Sequence, residues 1–563
     1  MLGLSTLPDV FVLICLGLLG AAFLGRYMAK VFTARPTLLD PVMRPVESAI
    51  FRLMGVDPSH QMKWREYAVS LLVMNLCAVV FVFLLLSLQG SLPMNYWGVH
   101  GMPWDLALHT SVSFDTNTDF QHYTPETQAS LFSAIFGLIL LMFLSAATGI
   151  AAGVAMIRGF LRKDSTIGNF YQDLTQAVTR VLLPISILGA LLFVLAGVPQ
   201  TLAQSVSVVP LAGPAQGIPL GPVAAWDAIE FLGTNGGGFY AANAASPLQN
   251  PSALTNLVAI FLMLLIPFSA PFMFARMVRK EGEGRPLFVA TLTIFLLALF
   301  LFLYFESYNP FLASTGISQG SGYLVGAEQR FTLPESALFQ VTSIFTNTGA
   351  TSMSLGALTP GTQIDLLWGM FVQAAPGGDG TGFGMILINT LLAIFVGGLM
   401  VGRTPEYLGK KIGKYEMRWS TVVILSHPFA ILIPTAITFI FGLAQFSPAG
   451  VASHQFTVVL YEFTSESANN GSAMGSLIDN TLFFNVTGAI VMTVGRYLPL
   501  LAMLAIGGSL ASQGTAPPGP GTIKTDSATF TLFLILFITI VTGMLFLPML
   551  VMGPFAQGPL GGG

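Results

Sequence analysis

Thr116-Asn117-Thr118-Asp119 is the first of four related tetrapeptides in this 563-residue sequence. The other three are Thr234-Asn235-Gly236-Gly237, Thr346-Asn347-Thr348-Gly349 and Ala468-Asn469-Asn470-Gly471. Successive copies start 118, 112 and 122 residues apart, and each one separates a short apolar segment from a long one. A ring of backbone carbonyls around a dehydrated cation requires several such loops at one membrane depth. The repeat therefore predicts a cation filter made from four copies of one unit.

The composition predicts a helical membrane protein. Hydrophobic residues make up 53% of the chain and charged residues only 9%, against roughly 25% charged residues in soluble domains. Apolar runs that are long enough to cross a bilayer recur along the chain. They predict ten spans, at about Val10–Leu24, Tyr67–Leu88, Leu131–Ile157, Val181–Val198, Leu254–Phe274, Leu287–Tyr304, Gly384–Val401, Trp419–Ala444, Leu482–Ser509 and Phe530–Met552. The predicted fold class is an all-α polytopic membrane protein surrounded by membrane lipid, with no nucleic-acid partner.

The basic residues predict the orientation of these spans. Lys and Arg collect in loops that alternate along the chain, and those loops hold 21 of the 23 basic residues. The cytoplasmic loops of membrane proteins carry such an excess. We therefore expect the N-terminus and all four tetrapeptides on the outer side. Only Arg330 and Arg496 depart from the pattern.

A short apolar segment precedes each tetrapeptide, and the four segments are Trp104–Asp115, Ala225–Gly233, Glu335–Phe345 and Phe456–Ser467. Runs of about 10–14 residues are too short to span a bilayer but suit a re-entrant helix, whose carbonyl end favours a cation. The predicted unit is a span, a pore helix, a filter strand and a second span. Four units cover 61–165, 166–282, 283–412 and 413–515, while 1–60 and 516–563 add one helix at each end. One copy alone would be an ordinary Gly/Asn turn, whereas four in the same position favour a filter.

The candidate filter residues are Thr116, Asn117, Thr118, Asp119, Thr234, Asn235, Gly236, Gly237, Asn347, Thr348, Gly349, Asn469, Asn470 and Gly471. Glycine permits backbone conformations that direct carbonyls inward. The neighbouring Thr and Asn either brace the loop or add side-chain oxygens, and the offset that faces the ion stays open by one residue. Asp119 stands where the other copies have Gly, so it either adds charge at the filter rim or is solvated outside it.

Two further features fall in or beside predicted spans. Arg496 lies near the middle of Leu482–Ser509, where an Arg costs at least about 2.5–3.5 kcal/mol. We predict that it lines the path below the filter and repels or steers ions. The alternative is a structural ion pair with a buried carboxylate, for which Asp379 is one candidate. The segment 376–384 has five glycines in nine residues and cannot remain a regular helix.

The sequence resembles the potassium-binding A subunits of the bacterial Kdp potassium-transporting P-type ATPases over essentially its full length. The resemblance rests on Thr-Asn-Thr-Asp-Phe-Gln (116–121), Thr-Asn-Gly-Gly-Gly-Phe (234–239), Thr-Asn-Thr-Gly-Ala-Thr-Ser-Met (346–353), Ala-Asn-Asn-Gly-Ser-Ala (468–473) and Gly-Arg-Thr-Pro-Glu-Tyr-Leu-Gly-Lys-Lys (402–411). More distantly, the plan of four units is similar to that of the Trk/Ktr/HKT superfamily of potassium transporters.

The resemblance implies a pore-forming, K⁺-selective subunit in a bacterial cytoplasmic membrane. A separate catalytic P-type ATPase subunit would supply the energy, and two single-span accessory subunits would complete the complex. The resemblance also implies a gating loop under the filter at Gly377, Gly378, Asp379, Gly380 and Gly382, and the alternative is a flexible kink without a gating role. Gln121 matches a family filter position, although a scaffold hydrogen bond is an alternative role, and the basic loop 402–418 is a candidate contact surface for the ATPase subunit.

The sequence contains neither an Asp-Lys-Thr-Gly-Thr phosphorylation signature nor a phosphate-binding Gly-x4-Gly-Lys-Ser/Thr loop. We therefore expect no ATP hydrolysis and no bound nucleotide in this chain, and K⁺ at the filter as its metal ion. The six His residues show no metal-ligand spacing. The main alternative is a free-standing Trk/Ktr-type channel or symporter. A proton-translocating subunit of a redox complex is less compatible, because such subunits place several ionisable residues in their helices.

Overall fold

The structure, a computed structural model, describes residues 7–96, 98–203, 205–211, 213–307, 326–448, 450–515 and 522–557. Within these residues, ten helices are long and apolar enough to cross a membrane. Numbered in chain order as spans 1 to 10, they are Val10–Phe32, Trp64–Ser91, Leu131–Leu161, Phe170–Leu195, Ala253–Met277, Glu281–Glu306, Thr381–Val401, Lys414–Ile440, Leu482–Ala511 and Ala528–Gln557. Each overlaps one predicted span, so the all-α polytopic fold is confirmed.

Four shorter helices precede the tetrapeptides, as predicted. Pore helices 1 to 4 are Trp104–Asp115, Val223–Leu232, Leu333–Phe345 and Ala452–Ala468. The start of pore helix 3 has a clear local cause, because Thr332 and Glu335 form a capping box in which each side chain accepts from the other's backbone N–H. All four pore helices end within a few residues of a tetrapeptide that is almost completely buried.

Burial separates the spans into an inner and an outer set. In the second span of each unit (spans 3, 5, 7 and 9), 61% to 78% of the central residues are buried. In the first span of each unit (spans 2, 4, 6 and 8), only 28% to 44% are buried, and spans 1 and 10 resemble this outer set with 33% and 28%. The second spans therefore surround the pore helices, and the remaining spans face the surroundings.

The other elements are short. Among the described residues, the remaining α-helices are Asp40–Met54, Pro125–Gln128 and Pro360–Val372, and 3₁₀ turns occur at Gln89–Ser91, Asn243–Ala245, Leu355–Ala357 and Pro554–Gln557. Spans 3 and 4 contain the π-helical turns Ala134–Leu138 and Ala177–Leu182. In the described ranges, antiparallel ribbons pair Met62–Lys63 with Thr166–Gly168, Ser205–Val208 with Gln216–Pro219, and Glu406–Tyr407 with Lys410–Lys411.

Charged side chains tie the loops together at the end of the molecule opposite the pore helices. The helix Asp40–Met54, which the sequence suggested only as a basic loop, is held by Arg180, whose guanidinium lies 2.6 Å from both Asp40 Oδ1 and Glu47 Oε1. In the basic loop 402–418, the Lys410 ammonium donates to the carbonyls of Arg162 and Gln513 at 2.8 and 2.6 Å. Burial lowers the pKa of this amine below its usual value. Lys410 therefore serves internal packing.

A buried ion pair joins spans 3 and 4. Two guanidinium nitrogens of Arg158 donate to the two carboxylate oxygens of Asp173 at 2.6 and 2.8 Å, and Tyr67 donates to the same carboxylate at 3.0 Å. We expect Arg158→Met to cost about 3–5 kcal/mol of stability, because it leaves Asp173 as an uncompensated buried charge. Thermal unfolding of the detergent-solubilised protein measures this loss. The double variant with Asp173→Leu is the control and should recover much of it, whereas equal loss in both variants would contradict the argument.

Candidate ion-binding site

The four pore helices end in the same hydrogen-bonded turn. The N–H groups of four residues each donate to the carbonyl five residues earlier, at 2.7 to 2.9 Å: Thr118, Asn235, Thr348 and Asn470. The residue before each has a left-handed backbone, with φ of 62°, 49°, 51° and 53° at Asn117, Thr234, Asn347 and Asn469. By this geometry Thr234 is equivalent to Asn117, Asn347 and Asn469. An alignment of the Thr-Asn letters would instead pair Asn235 with these asparagines, so the second unit is shifted by one residue. Gly236 corresponds to Asp119, Gly349 and Gly471.

The carbonyl groups of these turns converge on one space. A Cβ atom placed on Gly236 would lie within 3.0 Å of three carbonyl oxygens, those of Thr118, Thr348 and Asn470. The fourth equivalent residue, Asn235, directly precedes Gly236. Four strands thus approach one point with uncharged oxygens, which is the ligand type that replaces the hydration shell of an alkali cation. The carbonyl ends of the pore helices also favour positive charge there.

The asparagine side chains brace this arrangement. Their amide nitrogens donate from one unit to the next: Asn117 to the Thr234 carbonyl at 2.7 Å, Asn347 to the Ala468 carbonyl at 2.9 Å, and Asn469 to Thr118 Oγ1 at 2.9 Å. Between the two alternatives that the sequence left open for these asparagines, the geometry favours bracing over ion ligation.

Two bracing residues were missed by the sequence analysis. Asn243 donates to the Gly236 carbonyl at 2.8 Å and accepts from the Thr351 N–H at 3.3 Å, so it links the second and third units. Ser145 in span 3 donates to Asn117 Oδ1 at 2.9 Å. Neither lies in a repeated motif, because each unit uses a different partner for this purpose. The sequence therefore held no signal for them.

A cavity lies directly below the converging carbonyls. Three bracing asparagines form its upper wall, and its lining also includes Gly378, Thr381 and Arg496. The glycine-rich segment passes beneath the filter as a loop between the helix Pro360–Val372 and span 7. Its Gly377 N–H donates to the Phe345 carbonyl at 2.8 Å and its Asp379 N–H to Thr234 Oγ1 at 3.1 Å. The loop is thus attached to pore helix 3 and to the second filter strand.

Arg496 projects from span 9 into this cavity and is 3% exposed. Its guanidinium donates to Thr381 Oγ1 at 2.7 Å and to the Ser145 carbonyl at 2.5 Å. The suggested ion pair with Asp379 is wrong, since no carboxylate of the described residues lies within 4.0 Å of this guanidinium. Each terminal nitrogen donates to one neutral oxygen, Nε has no partner among the described residues, and the charge stays uncompensated at short range.

The profile of the family described as potassium-transporting ATPase A subunit matches residues 10–558. The chain belongs to this family. Among similar A subunits, a "Potassium-transporting ATPase potassium-binding subunit" of Nostoc sp. is 40% identical over 547 residues, covering 97% of both chains. Its counterpart in Synechocystis sp. is 42% identical over 541 residues, covering 95% of this chain and 96% of that one.

A solved structure resembles this chain in fold. The potassium transporter TrkH from Vibrio parahaemolyticus superposes with a TM-score of 0.50 over 88% of this chain and 98% of its own, at 18% identity. At this identity the likeness concerns the fold alone.

Asp119 and Gln121 both lie against the second filter strand. Asp119 is 1% exposed, which argues against a carboxylate solvated outside the filter and supports the rim position. Neither of its carboxylate oxygens has a hydrogen-bond partner among the described residues. Gln121 donates to the Gly238 carbonyl at 3.2 Å and to the Tyr123 hydroxyl at 3.3 Å. These bonds favour the scaffold role for Gln121.

The position of Asn243 leads to a test of bracing. We expect Asn243→Ala to weaken K⁺ binding by the complex about 5- to 150-fold, because loss of a buried hydrogen bond costs about 1–3 kcal/mol and releases the Gly236 carbonyl. Titration calorimetry measures the affinity. Asn389→Ala is a matched control, since Asn389 is also buried and donates to a carbonyl, that of Met385, within span 7. Equal affinities in the two variants would refute the bracing role.

Proposed function

We propose that this chain is the potassium-binding and translocating subunit of an ATP-driven K⁺ uptake complex. It admits K⁺ through the filter formed by the four tetrapeptides and passes the ion to a separate P-type ATPase subunit. The observation that supports this most directly is the convergence of the carbonyls of Thr118, Thr348 and Asn470 beside Gly236. Family membership and the relatives named as potassium-binding subunits add support.

The proposed ion path starts on the outer side of a bacterial cytoplasmic membrane, with the N-terminus also outside. The distribution of Lys and Arg supports this orientation. Asp119 is buried at the filter rim, where its carboxyl group lies against the second filter strand. The ion then enters the cavity above the glycine-rich loop, and this loop acts as a gate because it lies across the path. Arg496 opposes direct exit toward the cytoplasm, since a fixed positive charge forms an electrostatic barrier to cations.

Energy for transport comes from a partner in this proposal. The chain lacks ATPase motifs, so it is the non-catalytic subunit, with K⁺ as its cargo and no nucleotide of its own. The catalytic P-type ATPase subunit docks on the basic loop 402–418, where Arg403, Lys411, Lys414 and Arg418 are exposed while Lys410 is buried. Single-span accessory subunits pack against the outer spans.

The experiment that tests this function uses the purified complex and the isolated chain side by side. We expect K⁺, and not Na⁺, to stimulate ATP hydrolysis by the complex, and we expect liposomes containing the isolated chain to show no K⁺ flux. ATP hydrolysis that is independent of K⁺ would overturn the proposal. K⁺ flux through the isolated chain, driven by the membrane potential, would establish the free-standing channel instead.

A further inference from the structure

A cluster of four ionisable side chains lies behind the filter, between pore helices 1 and 4. His109 belongs to pore helix 1 and His122 follows the first filter strand. Glu462 and Glu466 are one turn apart on pore helix 4, which places them on the same face. All four are between 0% and 4% exposed. No sequence pattern predicts this cluster, because its residues come from two segments that are far apart in the chain.

The ligand atoms of the cluster are close to one another. His109 Nε2 lies 3.6 Å from Glu466 Oε1, and His122 Nε2 lies 3.3 Å from Glu462 Oε1. The two imidazole rings stack with centroids 3.8 Å apart. One ligand atom from each of His109, His122 and Glu466 can be chosen so that all lie within 4.8 Å of one another, and the same holds for His122, Glu462 and Asp479.

Most of these atoms lack a hydrogen-bond partner. Among the described residues, no partner is found for either nitrogen of His109, for His122 Nε2, for either carboxylate oxygen of Glu466 or for Glu462 Oε1. Buried polar atoms are normally paired, and leaving them unpaired is costly. A cation bound between the stacked rings and the two carboxylates would give all of them a partner.

The tautomer of His122 follows from its neighbour. Asn485 in span 9 donates from Nδ2 to Asp105 Oδ2 at 3.0 Å and to Asn480 Oδ1 at 3.1 Å. Its Oδ1 therefore faces His122 Nδ1, at 2.7 Å, and must accept from it. With its proton on Nδ1, neutral His122 can offer the Nε2 lone pair to a metal ion that lies toward the glutamates. A second residue that orients a histidine in this way is typical of metal sites.

We propose that this cluster binds a divalent transition-metal ion, with Zn²⁺ as the ion of choice. Imidazole nitrogen together with carboxylate oxygen is a ligand set that Zn²⁺ takes in proteins. His109, His122 and Glu466 supply three ligands and Glu462 a fourth after small side-chain rotations. Partly exposed Asp479 marks the route by which the ion reaches the site. The bound ion joins the first filter strand to pore helix 4, and the site is separate from the K⁺ path.

The experiment measures equilibrium binding of Zn²⁺ to the purified complex by dialysis and elemental analysis. We expect one Zn²⁺ per chain, and we expect Glu466→Gln and His109→Gln to weaken binding at least about tenfold. His454→Gln is the matched control, because His454 lies on the same pore helix but contacts Gln557 instead of the cluster. The control should bind Zn²⁺ like the wild-type protein.

A second measurement needs no variant. Co²⁺ added to the wild-type complex should produce the visible absorption of a four-coordinate nitrogen and oxygen site, and Zn²⁺ should abolish it. Absence of this absorption, or Zn²⁺ binding that is equal in Glu466→Gln and wild type, would overturn the proposal and leave the cluster as proton-linked His–Glu pairs. Because neither readout depends on K⁺ or ATP, failure here is distinct from failure of the proposed transport function.

Discussion

Gly236→Ala is expected to abolish high-affinity activation of the complex by K⁺. The new methyl group would lie within 3.0 Å of the carbonyl oxygens of Thr118, Thr348 and Asn470, so it would occupy the space in which those oxygens converge. The strands would have to move apart, and overpacking of this kind costs about 1–3 kcal/mol. If that cost falls on the ion-bound state, K⁺ affinity drops about 5- to 150-fold. The K⁺ concentration for half-maximal ATP hydrolysis by the purified complex measures this effect.

Gly543→Ala is the matched control for this substitution. A Cβ at Gly543, in span 10, meets no atom within 4 Å, so the same chemical change adds no strain there. The K⁺ dependence of this control should equal that of the wild-type complex. An unchanged K⁺ dependence in an assembled complex that carries Gly236→Ala would show that the tetrapeptides are ordinary turns and do not form a filter.

The second large effect is expected at Arg496. Replacing this residue with Met should open a passive K⁺ leak through the protein, because the cavity below the filter loses its fixed positive charge. At an effective dielectric constant of about 20, two unit charges repel each other by about 4 kcal/mol at ~4 Å and about 2 kcal/mol at ~8 Å. A barrier lower by about 2 kcal/mol corresponds to a leak about 30-fold faster. Efflux of K⁺ from proteoliposomes without ATP measures the leak.

Arg496→Lys provides the control, since it keeps the charge while changing the hydrogen bonds to Thr381 and Ser145. We expect the Lys variant to hold K⁺ nearly as well as the wild-type protein. If the Met variant does not leak K⁺, Arg496 serves packing alone. An equal K⁺ leak in the Met and Lys variants would show that the barrier depends on the hydrogen bonds and not on the charge.

The architecture was predictable from the sequence because it depends on long apolar runs and on a repeat. The ten spans and the four pore helices follow from the lengths of the apolar runs and from their positions before each tetrapeptide. The helix Asp40–Met54 was not predicted, since its polar and basic residues look like a loop until Arg180 pairs with Asp40 and Glu47.

The candidate site was predictable only in part. The repeated tetrapeptides identified the strands. The one-residue shift in the second unit was not predictable from the shared Thr-Asn motif, because the equivalence of the residues depends on where each pore helix ends. Asn243 and Ser145 were missed, since their partners lie in other units. The approach of His109 and His122 to Glu462 and Glu466 likewise depends on how the pore helices pack, which no local pattern encodes.

The hydrogen bonds between units have a consequence for how the protein is made. They form a closed circle, in which Asn117, Asn243, Asn347 and Asn469 join the first unit to the second, the second to the third, the third to the fourth, and the fourth back to the first. The closing bond, from Asn469 to Thr118, connects residues 351 positions apart. A growing chain on the ribosome cannot form it until the last unit has entered the bilayer. Given the proposed function, the nascent protein therefore has no complete pore through which the cell's ion gradients can discharge during synthesis.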